Sequence, residues 1–315
     1  MRWSPFIVAA LVAIGVLASV DAFRGSADRP ERERSAPAEE TAVTTERAPT
    51  PAETLSAAGV TGTLYFTLSV EEGCVLHMLL LPSLDDGGAF LLDRCEFDVS
   101  PQGNIVTGTP CPGRVVEAGP PGGATQRLRG CAPAWRPDGE LTFIRNGDVV
   151  TSRGQVLVRD LARAGRHWFS SREPVTVRAL AWLTETRLAA ILRGRSRFGG
   201  HDLLVFAEGR RAFSGSEVTE AAASLYVDRN RQEVWIAQPG DDFSPPGITI
   251  YTRSGAFLRT APFQANVNAF ATAGDRWFAL GRPDNICIHE RRNPPPREEF
   301  PLTCLPFDVV DLAWV

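Results

Sequence analysis

Downstream of residue 60 the chain alternates short runs of aliphatic, aromatic and β-branched residues with clusters of Gly, Pro, Asp and Asn. GTLYFTL, ELTFIRNGDVV, EVWIAQ, GITIYTRSGAFLRT and RWFALG are examples. Short strands at regular spacing, each closed by a turn signal, predict an all-β architecture. No long stretch of this region repeats every 3.6 residues; the nearest, 217–225, is brief and Ala-rich. Upstream the pattern is different. Residues 6–20 are apolar apart from Gly15 and Ser19, and residues 24–59 hold no aromatic and few large aliphatics.

A longer period lies over the strand pattern. Bulky residues recur just before a turn at Val99, Trp135, Trp182, Tyr226, Phe270 and Trp314, in steps of 36, 47, 44, 44 and 44. A repeat near 44 residues with four strands per unit is the mark of β-propeller blades. Six markers predict a six-bladed propeller over residues 60–315. The last marker lies one residue from the end of the sequence, so its unit lacks three strands, while the first β-run has no marker before it. The two deficits fit each other. DVVDLAWV is expected to pair beside GTLYFTL and close the ring, because an open ring leaves unpaired strand edges.

Three stretches carry a family resemblance. AWRPDGELTF at 134–143 resembles the WD40-like repeat of TolB-type propellers, SPQGNIVTG at 100–108 is a weaker copy, and HDLLVFAEG at 201–209 resembles the third strand of that repeat. ITIYTRSGAFLRT is similar to blades of the NHL type. The resemblance implies the propeller fold for 60–315 and names no substrate, since propellers host many unrelated functions.

The upstream pattern sets the expected location. Residues 1–23 read as a signal peptide or an uncleaved signal anchor: Arg2 precedes a 15-residue apolar run, and small residues surround position 22. Residues 24–59 read as a disordered Pro/Ala/Glu/Arg-rich linker. The expected site is outside the cytoplasm of a bacterium, either free or held at the membrane by this N-terminal segment.

Six cysteines agree with export: Cys74, Cys95, Cys111, Cys131, Cys287 and Cys304. None has the C-x-x-C spacing of a zinc or redox site. Of fifteen connectivities, sequential pairing gives similar separations of 21, 20 and 17 residues. The expectation is therefore 74–95, 111–131 and 287–304, with reduced thiols filling the core as the alternative.

Charge and composition narrow the chemistry. The formal net charge is −4, too near neutral for a general nucleic-acid binder. Every basic residue other than histidine is an arginine, so Schiff-base and P-loop chemistry are excluded. His77, His167, His201 and His289 fall in different blades without metal-ligand spacing, and no metal or cofactor is expected. No G-x-S-x-G elbow occurs. Asp85–Asp86 and Asp241–Asp242 read as loop tips.

Arg193, Arg195 and Arg197 alternate along ILRGRSRFGG and are the candidate ligand-binding residues. Spacing by two places them on one face of a strand, where guanidiniums could bind a carboxylate or phosphate. The alternative is a solvated hairpin tip. Two functions remain open. One is a non-catalytic binding or scaffold module for a protein or cell-envelope glycan or polymer. The other is a hydrolase, lyase or cyclase whose acids and histidines converge at the propeller channel. Three or more convergent titratable groups would favour the enzyme, and an apolar channel would favour the binder.

Overall fold

The computed structural model describes residues 47–71, 73–169, 174–196, 199–218, 224–238, 247–260, 267–291 and 300–315. The leader, residues 24–46 of the linker, Arg197 and Asp241–Asp242 lie outside these residues. Among the described residues no helix is long and apolar enough to cross a membrane.

Among the described residues one α-helix, α1 (Pro51–Ala58), precedes 24 strands that form six four-stranded antiparallel sheets. Blade 1 holds β1 (Gly62–Val70), β2 (Gly73–Leu81) and β3 (Asp85–Leu92). Blade 2 is β4 (Phe97–Val99), β5 (Ile105–Gly108), β6 (Val115–Gly119) and β7 (Gln126–Arg129). Blade 3 is β8 (Cys131–Trp135), β9 (Leu141–Arg145), β10 (Asp148–Thr151) and β11 (Val156–Val158). A 3-10 helix, Leu161–Gly165, then leads to blade 4: β12 (Thr176–Trp182), β13 (Arg187–Ser196), β14 (Gly199–Glu208) and β15 (Arg211–Val218). Blade 5 is β16 (Ser224–Asp228), β17 (Glu233–Gln238), β18 (Gly247–Thr252) and β19 (Phe257–Thr260). Blade 6 is β20 (Ala269–Ala273), β21 (Trp277–Gly281), β22 (Ile286–Glu290) and β23 (Thr303–Leu305). The final strand, β24 (Asp311–Trp314), joins the first sheet, whose order is β24-β1-β2-β3. The fold is a six-bladed β-propeller.

The six markers all fall on the innermost strands β4, β8, β12, β16, β20 and β24. These strands touch in succession around the centre, and β20 meets β24 to complete the circuit. β24 runs antiparallel to β1 with Leu64 opposite Trp314 and Thr67 opposite Asp311. Val315 and Thr63 exchange main-chain hydrogen bonds, and the Trp314 indole donates to the Thr61 carbonyl at 3.0 Å. Burial of the bulky inward face of each sheet between its neighbours supplies the core.

The turn after β8 reaches the blades on both sides. In WRPDG, Gly139 has φ +82° and sits so close to the Gln102 amide that a Cβ would lie 2.5 Å from it. The left-handed φ is what favours glycine here, since the Gln102 side chain can swing aside. Arg136 donates to the Glu185 carbonyl of blade 4 and lies over the Trp182 ring.

All three disulfides join the expected partners: Cys74–Cys95, Cys111–Cys131 and Cys287–Cys304. The first runs from β2 to the segment entering blade 2, and the second ties the β5–β6 loop to β8. The third links β22 to β23 within blade 6, where Cys287 and Cys304 lie opposite each other.

The linker ends earlier than its composition implies. Helix α1 occupies eight residues assigned above to a disordered linker. Thr50 and Glu53 form a reciprocal capping box, Pro51 starts the helix, and Gly59 ends it in the left-handed region. Leu55 and Val60 are wholly buried in the same cluster as Leu64, Leu81, Leu305 and Trp314. A single leucine and a well-made pair of caps outweigh the polar average of the segment.

Candidate functional site

The inner strands surround a cavity of about 470 Å³ at the centre of the propeller. Its walls are not apolar. Glu96, Asp98, Arg178, Tyr226, Arg229 and Asp311 all line it, so titratable groups do converge here from blades 1, 2, 4 and 5. Their hydrogen bonds decide what they can do.

Asp98 is held by main-chain donors: Oδ1 accepts from the Val99 N–H at 2.8 Å and Oδ2 from the Trp135 N–H of blade 3 at 2.7 Å. Burial raises its pKa above the ordinary carboxylate value, against the pull of Arg229 and these two N–H groups. Asp311 on β24 is still more committed. Oδ2 accepts from the Phe97 N–H of blade 2 at 3.1 Å; Oδ1 accepts from the Leu312 N–H and from the Tyr226 hydroxyl of blade 5, both at 2.9 Å. Burial pushes Asp311 up to about 7, with its hydrogen bonds opposing the shift and Glu96 adding to it. Burial, then the Asp311 charge, holds the Tyr226 phenol well above its usual value.

Arg229 spans the same centre. Its Nε donates to the Trp182 carbonyl at 3.1 Å and its Nη2 to the Trp135 carbonyl at 3.3 Å. The polar groups of the channel therefore bind blades to one another. Asp98 already accepts two donors and Asp311 three, while Glu96 stands exposed at the cavity wall.

His77, His167 and His289 lie outside the cavity lining, and the His201 side chain is outside the described residues. His77 stacks on Phe66, and His167 sits exposed beside Trp168. His289 is buried on Phe278, with its pKa lowered to about 4 by burial and then by Arg282. Among the described residues there is no cluster of three or more potential metal ligands.

The arginines singled out in the sequence lie on blade 4. Arg193 makes a two-pronged contact with Asp202 across the β13–β14 hairpin, Nε–Oδ1 2.7 Å and Nη2–Oδ2 3.1 Å. Asp202 is fully buried. Arg178, on the channel strand β12, approaches the same carboxylate at 3.7 Å. Arg195 lies opposite Gly200 in the hairpin register, and Arg197 is outside the described residues. Arg193 is thus committed to an internal acid, and the sequence reading missed both Asp202 and Arg178. A signal for Asp202 did exist: the predicted hairpin, in which Ser196 stands opposite Gly199, places 193 against 202. Nothing local points to Arg178, which comes from the neighbouring strand.

No family model and no curated protein matches the chain. Among solved structures it is similar to TolB from Acinetobacter baumannii, with 13% identity and a TM-score of 0.48 over 80% of this chain and 66% of that one. A streptogramin B lyase shows 13% identity and a TM-score of 0.46, covering 80% and 87%. A protein from Lactobacillus plantarum shows 10% identity and a TM-score of 0.45, covering 81% and 99%.

Proposed function

We propose that this propeller is a non-catalytic binding module that works outside the cytoplasm and engages a protein or an envelope polymer. The observation that carries the reading is the commitment of Asp98 and Asp311 to main-chain donors, in each case one from a neighbouring blade and one from the next residue on its own strand. A general acid or base needs a free position for the substrate's proton, and these carboxylates serve as inter-blade ties instead. Three disulfides support an oxidising compartment.

A second reading, an enzyme of hydrolase, lyase or cyclase type, keeps one specific support. Asp311 is pushed up to about 7 beside the Tyr226 hydroxyl in the channel, a value suited to proton transfer at neutral pH. Co-sedimentation of the full chain with purified envelope material separates the two. The binding module predicts saturable retention and recovery of chemically unchanged polymer. Appearance of a new product that disappears in Asp311→Asn and Tyr226→Phe variants would overturn it in favour of the enzyme.

A further inference from the structure

Residues 159–218, the 3-10 insertion and blade 4, hold 11 arginines against 6 acids, a net +5 inside a chain of −4. The remainder of the chain therefore carries −9. This sector is the electrical opposite of the rest of the molecule.

The structure gathers part of that charge on one face. Phe169, at the end of the insertion, lies against Gly194 so closely that a Cβ there would meet its ring at 2.5 Å. Gly165 packs equally closely on Leu192 and Leu203. The insertion is thereby pinned to the end of the β13–β14 hairpin that carries Arg193. Arg159, Arg163, Arg166, His167 and Trp168 are exposed on it. Three acids of the described residues stand close to these elements, and Asp148 among them accepts from the Asp160 N–H at 2.8 Å. Asp160 pairs with Arg166 at 3.0 Å, and the buried Asp202 is shared by Arg178 and Arg193. One carboxylate between two guanidiniums leaves a surplus positive charge, and Arg178 brings it to the wall of the channel.

We infer that this face of blade 4 binds a linear polyanion, a polymer carrying phosphate or carboxylate groups at intervals. The inference rests on the binding-module reading and names its surface and ligand class. The cations come from several elements, the insertion, β12 and β13, which suits spaced charges better than one small anion. Trp168, 44% exposed, adds a flat apolar surface among them. It is the sole large apolar residue so exposed among the described residues of this sector, too little to form the apolar face of a membrane-inserting segment.

The test uses the full chain with polyphosphate and polygalacturonate as probes and neutral dextran as control. Both polyanions are expected to bind, and dextran is not. Affinity should fall roughly tenfold to fiftyfold between 50 and 200 mM salt if about three guanidiniums release counterions. The variant Arg159→Gln, Arg163→Gln, Arg166→Gln with Trp168→Ala is expected to lose at least tenfold with an unchanged melting curve. Arg193 is left intact because its loss would strand the buried Asp202. A charge-matched variant at exposed positions elsewhere, Arg129→Gln, Arg231→Gln and Arg253→Gln, is expected to bind as the parent does. Equal losses in both variants, binding to anionic-lipid vesicles but to neither polymer, or no polyanion binding at 50 mM salt would each overturn the inference. Retention of envelope material without polyanion binding sinks this surface alone; loss of both sinks the binding-module reading with it.

Discussion

Trp135 and Trp182 occupy the same place in successive blades, yet their indole N–H groups fare differently. Trp182 donates to the Thr142 hydroxyl of blade 3 at 2.8 Å. The strand register puts Val106 of blade 2 where Thr142 stands in blade 3, and the Trp135 Nε1 is buried without a partner. Val106→Thr should therefore stabilise the protein by about 1 kcal/mol, the net value of an internal hydrogen bond. A thermal melt checks this: a rise of a few degrees is expected, and a fall would show that the hydroxyl remains unbonded. Two other single residues pull stability in opposite directions with pH. Asp311, raised to about 7, favours the protonated folded state, so its contribution is full below the unfolded value near 3.8 and fades as pH rises through 7. His289, lowered to about 4, contributes above its unfolded value of 6.5 and loses that as pH falls towards 4. The two slopes oppose each other between pH 4 and 6.5. Asp311→Asn should unmask the histidine, giving a chain that weakens on acidification across that window in urea denaturation. A parallel pH profile for variant and parent would refute the assignment.

At the scale of elements, β24 and α1 are the ones on which the seam depends. β24 buries Leu312 and Trp314 and leaves β1 with an open edge if removed. Loss of the tryptophan alone costs on the order of 3–5 kcal/mol, a large part of the 5–15 kcal/mol typical of a domain. Truncation after Asp308 should yield aggregated or unfolded protein, and a soluble monomer in analytical ultracentrifugation would contradict the closure. Helix α1 is anchored by one side chain. Leu55→Ala should cost about 2–5 kcal/mol by emptying a fully buried site, read as a lower urea midpoint with little change in far-ultraviolet dichroism. The sequence disclosed β24 but hid α1, for a physical reason. β24 repeats the spacing and bulk of five other strands, whereas α1 rests on one capping box and one leucine inside a polar segment. The channel network was hidden for another reason. Tyr226 and Asp311 are 85 residues apart and Asp98 and Trp135 are 37 apart, so no local window contains both partners of either bond.

Over the whole molecule, stability comes from a circuit in which each blade leans on the next, reinforced at two inter-blade joints by disulfides. The cysteines were legible in sequence because Cys95 and Cys131 each precede a marker by four residues, so the joint recurs with the blade. Each bridge closes a loop of 17–21 residues, contributing roughly 3 kcal/mol in the chain-entropy model. Reduction should lower the urea midpoint substantially, and full reduction without change would show that the circuit holds unaided. The paired ends of the chain have a mechanical consequence. β1 is bonded on both flanks, to β2 and to β24, so a pull directed along its axis would load both rows of bonds together. Such a pull shears many bonds at once, whereas a pull across the sheet would peel them singly. Helix α1, held chiefly by Leu55, should give way first and lengthen the connection by a few nanometres at most, since eight residues extend no more than about 3.6 Å each. The ring behind it would stay intact at that force, so the helix would act as a shock absorber for the disk.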